Sequence, residues 1–156
     1  MELYLATFDK RFRQLSEQSI AIIDRTPPAR LFWQPVERGT LFPVNSCGEY
    51  ILRSAGKIEQ TFGGITTKLW DDPFEWTLPE HLSNSGLITE YLREVEVTRQ
   101  KAFNFFRSDE DLKKSIPAPV KIVPLFEILL DTMMVAENYL GRAIAVFRQF
   151  SAEKLF

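Results

Sequence analysis

The distribution of proline constrains the fold of this chain more than any other feature of its sequence. All 9 prolines of the 156 residues lie in three clusters, at 27–43, 73–79 and 117–124. Because a proline inside a helix removes a backbone donor and collides with the preceding turn, each cluster marks a connection. The chain is thereby divided into four proline-free segments, each long enough to form a helix.

Apolar or small residues recur at steps of three and four in all four segments. This spacing is typical of one face of an α-helix, and no strand-like period of two competes with it. The positions predicted to face inward in the first two helices are Leu5, Phe8, Phe12, Leu15, Ser19 and Ile22, then Ile51, Ala55, Ile58, Phe62, Ile65 and Leu69. Those in the last two are Tyr91 or Leu92, Val95, Ala102 and Phe105 or Phe106, then Leu125, Leu129, Thr132, Ala136, Tyr139, Ala143, Val146 and Phe150. We therefore predict an all-α fold, an up-down four-helix bundle that forms a single domain over residues 1–156.

Local signals indicate where two of the helices begin. Ser46 and Glu49 have the spacing of a capping box before the second helix, and Pro124 suits the first position of the fourth. The connection over 26–44 is long for a bundle, so it is expected to pack against an end or an edge. Its apolar residues are Leu31, Phe32, Trp33, Leu41 and Phe42.

Composition excludes several classes of function. The chain has 19 Lys and Arg against 21 Asp and Glu, which is not the basic excess of a nucleic-acid-binding protein. The single histidine, His81, and the single cysteine, Cys47, cannot form a Cys/His zinc site or a disulfide framework. The acidic N-terminus resembles no signal peptide, and no apolar run is long enough to span a membrane. We expect a cytoplasmic protein with no membrane or nucleic-acid partner.

Three segments resemble those of the DinB/YfiT-like superfamily of four-helix bundles. They are the Phe32-Trp33-Gln34-Pro35 turn, the start of the second predicted helix at 45–52, and the fourth predicted helix at 127–144. The resemblance implies the bundle fold. It also implies a divalent metal held by one histidine in the second helix and by a pair, four residues apart, in the fourth.

The metal ligands that this resemblance implies are all replaced in the chain. Its alignment places Arg53, Ala136 and Leu140 at the three histidine positions, and Asp131 where a further histidine is frequent. A guanidinium group has no lone pair to offer, and methyl and isobutyl groups coordinate nothing. The resemblance therefore implies a member of the superfamily without its metal, so we predict no metal and no cofactor.

Three hypotheses of function follow, and the first is favoured. It is a metal-free binding or interaction module with a pocket at Arg53, Ala136 and Leu140, near Asp131 and Glu137, that takes a small anionic ligand. The second is a divalent-metal-dependent thiol transferase or hydrolase whose replacement ligands are Asp131, Glu137 or Asn138. The third is a structural homodimer that associates through exposed apolar residues, which the 13 phenylalanines make plausible. The replaced ligands favour a protein that is not an enzyme.

Several single residues keep an ordinary structural interpretation beside a functional one. Arg53 is predicted to pair with Asp131, Glu137 or another acid, or to extend to solvent, if it holds no ligand. Cys47 is a passive small side chain unless the helix start activates its thiol. His81 is interpreted as a solvated loop residue. The pair Gly63-Gly64 is expected to permit a close helix contact or a kink.

Overall fold

Four helices account for most of the described chain, which comprises residues 2–35, 44–73 and 80–156 of a computed structural model. They are α1 (Leu3–Arg25), α2 (Cys47–Thr67), α3 (Ser85–Phe103) and α4 (Leu125–Phe147). Short 3-10 helices follow α1 at Pro28–Arg30 and precede α4 at Asp109–Lys113. The all-α prediction is confirmed at this level. Leu41 and Phe42 lie outside the described residues.

A two-stranded antiparallel sheet immediately precedes α4, and the sequence did not predict it. Strand β1 (Ser115–Pro117) pairs with β2 (Ile122–Pro124), with Ser115 opposite Pro124. Strands of three residues are too short for a period of two to be recognised. The prediction that Pro124 is the first helical residue is wrong by one position. Its ψ of 141° is extended, so it ends β2 and serves as the N-cap of α4.

Pairwise contacts fix the order of the helices around the core. α2 packs against α3 and α4, and α1 packs against the same two helices, whereas α1 and α2 contact each other much less. The rings of Phe12, Phe62 and Phe103 meet where α1, α2 and α3 come together, with centroids 5.1–6.3 Å apart. The helices therefore form a ring in the order α1, α3, α2, α4.

The directions of the helices differ from a simple up-down alternation. Thr61 bonds to Thr132, and Ser54 donates to the carbonyl oxygen of Ala136, so α2 and α4 are antiparallel. By contrast, Tyr91 near the start of α3 contacts Glu59, and Phe103 at its end contacts Phe62. The order of these contacts shows that α2 and α3 run in the same direction. The alternation expected from the sequence is not observed for this pair.

The connection after α2 explains how two consecutive helices run the same way. Lys68 adopts a left-handed φ of 63° and ends α2. The chain then turns back along the helix it has just left. Trp70 lies against Gly64, and Pro73 lies near Gly56, about two turns closer to the start of α2. Residues 68–73 therefore cover one side of α2.

The predicted apolar faces form the core, except where a helix is shorter than its pattern. All six positions predicted for α1 are buried. Leu69, in contrast, is exposed, because α2 ends at Thr67 before reaching it. Of the two alternatives predicted at the end of the third helix, Phe105 is exposed, whereas Phe106 is half-buried and packs against the core. A helical pattern continued beyond a helix end no longer describes which way the side chain faces.

The start of α2 matches the prediction closely. The Ser46 amide donates to the Glu49 carboxylate at 2.9 Å, and the Glu49 amide donates to Ser46 Oγ at 3.2 Å, which is the reciprocal capping box. The Gly48 amide donates to the carbonyl oxygen of Leu31 at 2.8 Å. A Cβ on Gly48 would lie only 2.8 Å from that oxygen, so glycine allows this close approach. The described part of the long connection is thus packed against the bundle, as expected, with Leu31 buried.

Candidate functional site

A cavity of about 250 Å³ lies between α2 and α4. Most of its described lining comes from one face of α2, because Arg53, Lys57 and Gln60 are spaced by four and three residues. α4 contributes two residues, and the connection that turns back along α2 contributes one. The described lining residues are Leu52, Arg53, Gly56, Lys57, Gln60, Asp72, Val135 and Tyr139.

The cavity combines positive charge with an apolar wall. Arg53 and Lys57 are half-buried, and the Lys57 ammonium lies 3.4 Å from Gln60 Oε1. Asp72 is exposed and supplies the one carboxylate among the described lining residues. Leu52 and Val135 line the same space. Among the described lining residues, two cations stand against one carboxylate, which suits the cavity to an anionic group attached to a small apolar body.

The structure does not bring the three predicted pocket residues together in this cavity. Arg53 lines it. Ala136 and Leu140 are buried in the hydrophobic core and are not part of its lining. Ser54 Oγ donates to the carbonyl oxygen of Ala136 at 2.9 Å, which fixes the contact between α2 and α4 beside the cavity. Of the three predicted pocket residues, only Arg53 therefore faces the cavity.

The acidic residues predicted to neighbour the pocket lie elsewhere on α4. Asp131 and Glu137 are exposed and do not line the cavity. Asn138, the third replacement ligand considered, lines an adjoining open depression of about 360 Å³ together with Tyr139 and Arg142. Within residues 2–35, 44–73 and 80–156, no three His, Cys, Asp or Glu side chains are grouped so as to hold a metal ion. His81 is exposed in a turn.

The sequence interpretation missed several cavity residues. Lys57 and Gln60 were detectable, because they share the helical face of Arg53 at spacings of four and seven. Tyr139 was assigned to the core, whereas its half-buried ring lines the cavity and stacks on Tyr50 with centroids 6.3 Å apart. No sequence pattern pointed to Asp72, because it reaches the cavity only through the path of the connection that turns back along α2.

Cys47 is not an activated thiol, although it is the first residue of α2. The side chain is buried, and this burial raises its pKa to about 11, while a hydrogen bond with the Thr26 hydroxyl, 3.9 Å from Sγ, acts in the opposite direction. The burial of the thiolate raises the pKa more than the positive end of the helix dipole lowers it. The structure supports the passive interpretation of this residue.

This environment predicts slow chemical modification of Cys47. At about pH 8 the raised pKa alone lowers the thiolate fraction about a hundredfold relative to an exposed cysteine, and burial adds to the effect. We expect Ellman's reagent to label the native protein at least a hundredfold more slowly than the urea-unfolded chain. The measurement is absorbance during labelling, with free cysteine as the control. Equal rates for the native and unfolded protein would contradict the assignment.

Comparisons with known proteins do not assign a function to this cavity. No protein-family model matches the chain, and neither a curated protein nor a solved structure was found to be similar to it. Within the described residues, no helix has both the length and the apolar character that a bilayer span requires. The functional argument therefore depends on the cavity and its residues.

Proposed function

We propose that the protein is a metal-independent, DinB-like binding module that holds a small anionic ligand in the cavity between α2 and α4. The observation that carries this proposal is the placement of Arg53 and Lys57 on one face of α2, both lining a single cavity with an apolar wall. The resemblance to the DinB/YfiT-like superfamily supports the location, because it implies a ligand site between the same two helices. The replacements at Ala136 and Leu140 support a site that works without metal.

The lining residues define the chemistry of the ligand. A guanidinium group donates two parallel hydrogen bonds to a carboxylate or phosphate, and the Lys57 ammonium adds a second positive charge. Gln60 offers both a donor and an acceptor, while Leu52, Val135 and the Tyr139 ring provide apolar contact. The volume of about 250 Å³ lies below the usual range for drug-sized ligands, which favours a small molecule such as an aromatic or short-chain acid.

Titration with small anions tests this function. We expect benzoate or inorganic phosphate to bind saturably, at one site per chain, by isothermal titration calorimetry. Arg53→Met should weaken that binding by about tenfold or more, because a hydrogen bond to a charged group contributes about 1.5–3 kcal/mol.

A matched control separates this site from general electrostatic attraction. Arg93 is exposed on α3, away from the cavity, so Arg93→Met removes the same charge from the protein without touching the lining. Its affinity should equal that of the wild type. Failure of both anions to bind, or equal affinities for Arg53→Met and the wild type, would overturn the proposal.

A further inference from the structure

The exposed face of α4 carries an apolar stripe along most of its length. Phe126, Leu130 and Met134, which are four residues apart, have 41%, 40% and 63% of their surface exposed. Gly141 and Ala145 continue this face in the second half of the helix, and both are exposed. α4 is also the most apolar of the four helices. The outer face of a surface helix is ordinarily polar, so this stripe requires a partner or a specific reason to be exposed.

We propose that the stripe is the interface between two copies of this chain, whose α4 helices pack antiparallel about a two-fold axis near position 136. In such a pair, residues equidistant from the axis on its two sides face each other. Phe126 then lies opposite the partner's Ala145, and Leu130 lies opposite the partner's Gly141. No atom of the chain lies within 4 Å of the position that a Cβ on Gly141 would occupy, so this half of the helix has room for a large side chain.

The charges beside the stripe favour this arrangement. Asp131 and Arg142 are eleven residues apart, which is about three helical turns, so both lie along the same edge of the stripe. An antiparallel pair brings like edges together and places each Asp131 opposite the partner's Arg142. A parallel pair would instead place the two copies of this edge on opposite sides of the interface, so that these charges would not meet. Within the described part of the chain, neither residue forms an ion pair, and the Arg142 guanidinium lies 6.0 Å from the centroid of the Tyr50 ring.

The patch follows α4 for most of its length and continues onto α1. From Phe126 to Ala145 the stripe is about 30 Å long. Leu3 and Tyr4 of α1 are exposed beside its beginning, and the Tyr4 ring lies edge-on to Phe126 with centroids 6.1 Å apart. One charge opposes association: Glu137 lies near the two-fold axis and approaches the partner's Glu137. Removing this charge should therefore strengthen association.

The oligomeric state tests the interface directly. We expect the wild type to sediment as a dimer at micromolar concentrations, and Leu130→Glu or Met134→Glu to weaken the dimer by about tenfold or more, because each buries a charge against the partner. Val120→Glu is the matched control: Val120 lies in the turn between β1 and β2, is 94% exposed and is outside the stripe. The dimer affinity of this variant should equal that of the wild type.

Charge reversal tests the antiparallel register. Asp131→Arg and Arg142→Asp should each weaken association by about tenfold, whereas the double variant should restore it, and Glu137→Gln should tighten it. Circular dichroism of each variant checks that the helices form. A wild type that remains monomeric throughout the micromolar range would overturn the proposal. So would single reversals that weaken the dimer without recovery in the double variant. Neither outcome bears on the cavity proposal, which anion titration tests separately.

Discussion

Arg99→Met is expected to lower the free energy of unfolding by about 3 kcal/mol, because it leaves the partly buried carboxylates of Asp9 and Glu96 without their shared cation. Arg99 is only 1% exposed. It donates to both oxygens of Glu96, at 2.8 and 2.6 Å, and to Asp9 at 2.6 Å, and its guanidinium lies 5.0 Å from the centroid of the Phe103 ring. Asp9 keeps its ion pair with Arg13 in the variant. For that reason we expect the lower end of the range for breaking a buried pair.

The penalty should depend on pH in a defined direction. Burial alone would raise the pKa of Asp9, but hydrogen bonds and charge interactions with Arg99 and Arg13 outweigh it and hold this pKa below its ordinary value. A lowered pKa in the folded state stabilises the protein above the unfolded pKa of about 4, and this contribution is lost as the pH falls through the folded value. In Arg99→Met, protonation of Asp9 relieves the charge that has lost this partner. The difference between wild type and variant should therefore be smaller near pH 4 than at pH 7.

Urea unfolding at both pH values measures this effect. Arg93→Met is the control, because Arg93 lies on the same helix but is exposed, and its substitution should change the free energy of unfolding by less than about 0.5 kcal/mol. If Arg99 contributed only packing, its substitution would cost the same at both pH values. A penalty that does not change with pH would contradict the electrostatic account.

Gly64→Ala is expected to destabilise the protein by about 2 kcal/mol, because the new methyl group overlaps the Trp70 ring. A Cβ at this position would lie 2.3–2.6 Å from three ring atoms. The ring cannot move freely, since its Nε1 donates to the carbonyl oxygen of Pro117 at 3.2 Å and so links the connection after α2 to β1. The sequence predicts a close helix contact or a kink at Gly63-Gly64, whereas Gly64 instead allows the close approach of the Trp70 side chain.

Gly63→Ala provides a control with the opposite sign. The nearest atom to a Cβ there is the Leu69 carbonyl oxygen at 3.9 Å, an ordinary contact. Replacing a helical glycine without a clash should stabilise the protein by about 0.5–1 kcal/mol.

In a Trp70→Ala background, the cost of Gly64→Ala should disappear, because the two residues no longer meet. Thermal or urea unfolding of the four variants measures both expectations, and a Gly64→Ala protein as stable as Gly63→Ala would contradict them.

Helix formation and the core-facing positions were predictable because they depend on local spacing. All six inward positions of α1 are buried, and the capping box of Ser46 and Glu49 forms as expected. Both signals act within one or two helical turns. The failures occur at the ends of elements, because α2 stops before Leu69 and β2 extends to Pro124.

The candidate site was predictable only in part. Arg53 lines a cavity, and its helical spacing to Lys57 and Gln60 was present in the sequence. Ala136 and Leu140 are buried beside the cavity instead, because the rotation of α4 against α2 decides which of its residues reach open space. Asp72 joins the lining through a connection whose path no local pattern specifies.

By itself, the sequence determined the four α-helices of the described residues, their approximate extents and the side of α1 that is buried, since proline positions and apolar periodicity act on neighbouring residues. Only the tertiary structure decided that α2 and α3 run in the same direction, that Trp70 packs on Gly64, and that Arg53 lies beside a cavity while Ala136 and Leu140 do not. The physical reason is that these features depend on how separate segments pack together. Many packings satisfy the same helical periods, and side-chain fit between distant residues selects one of them.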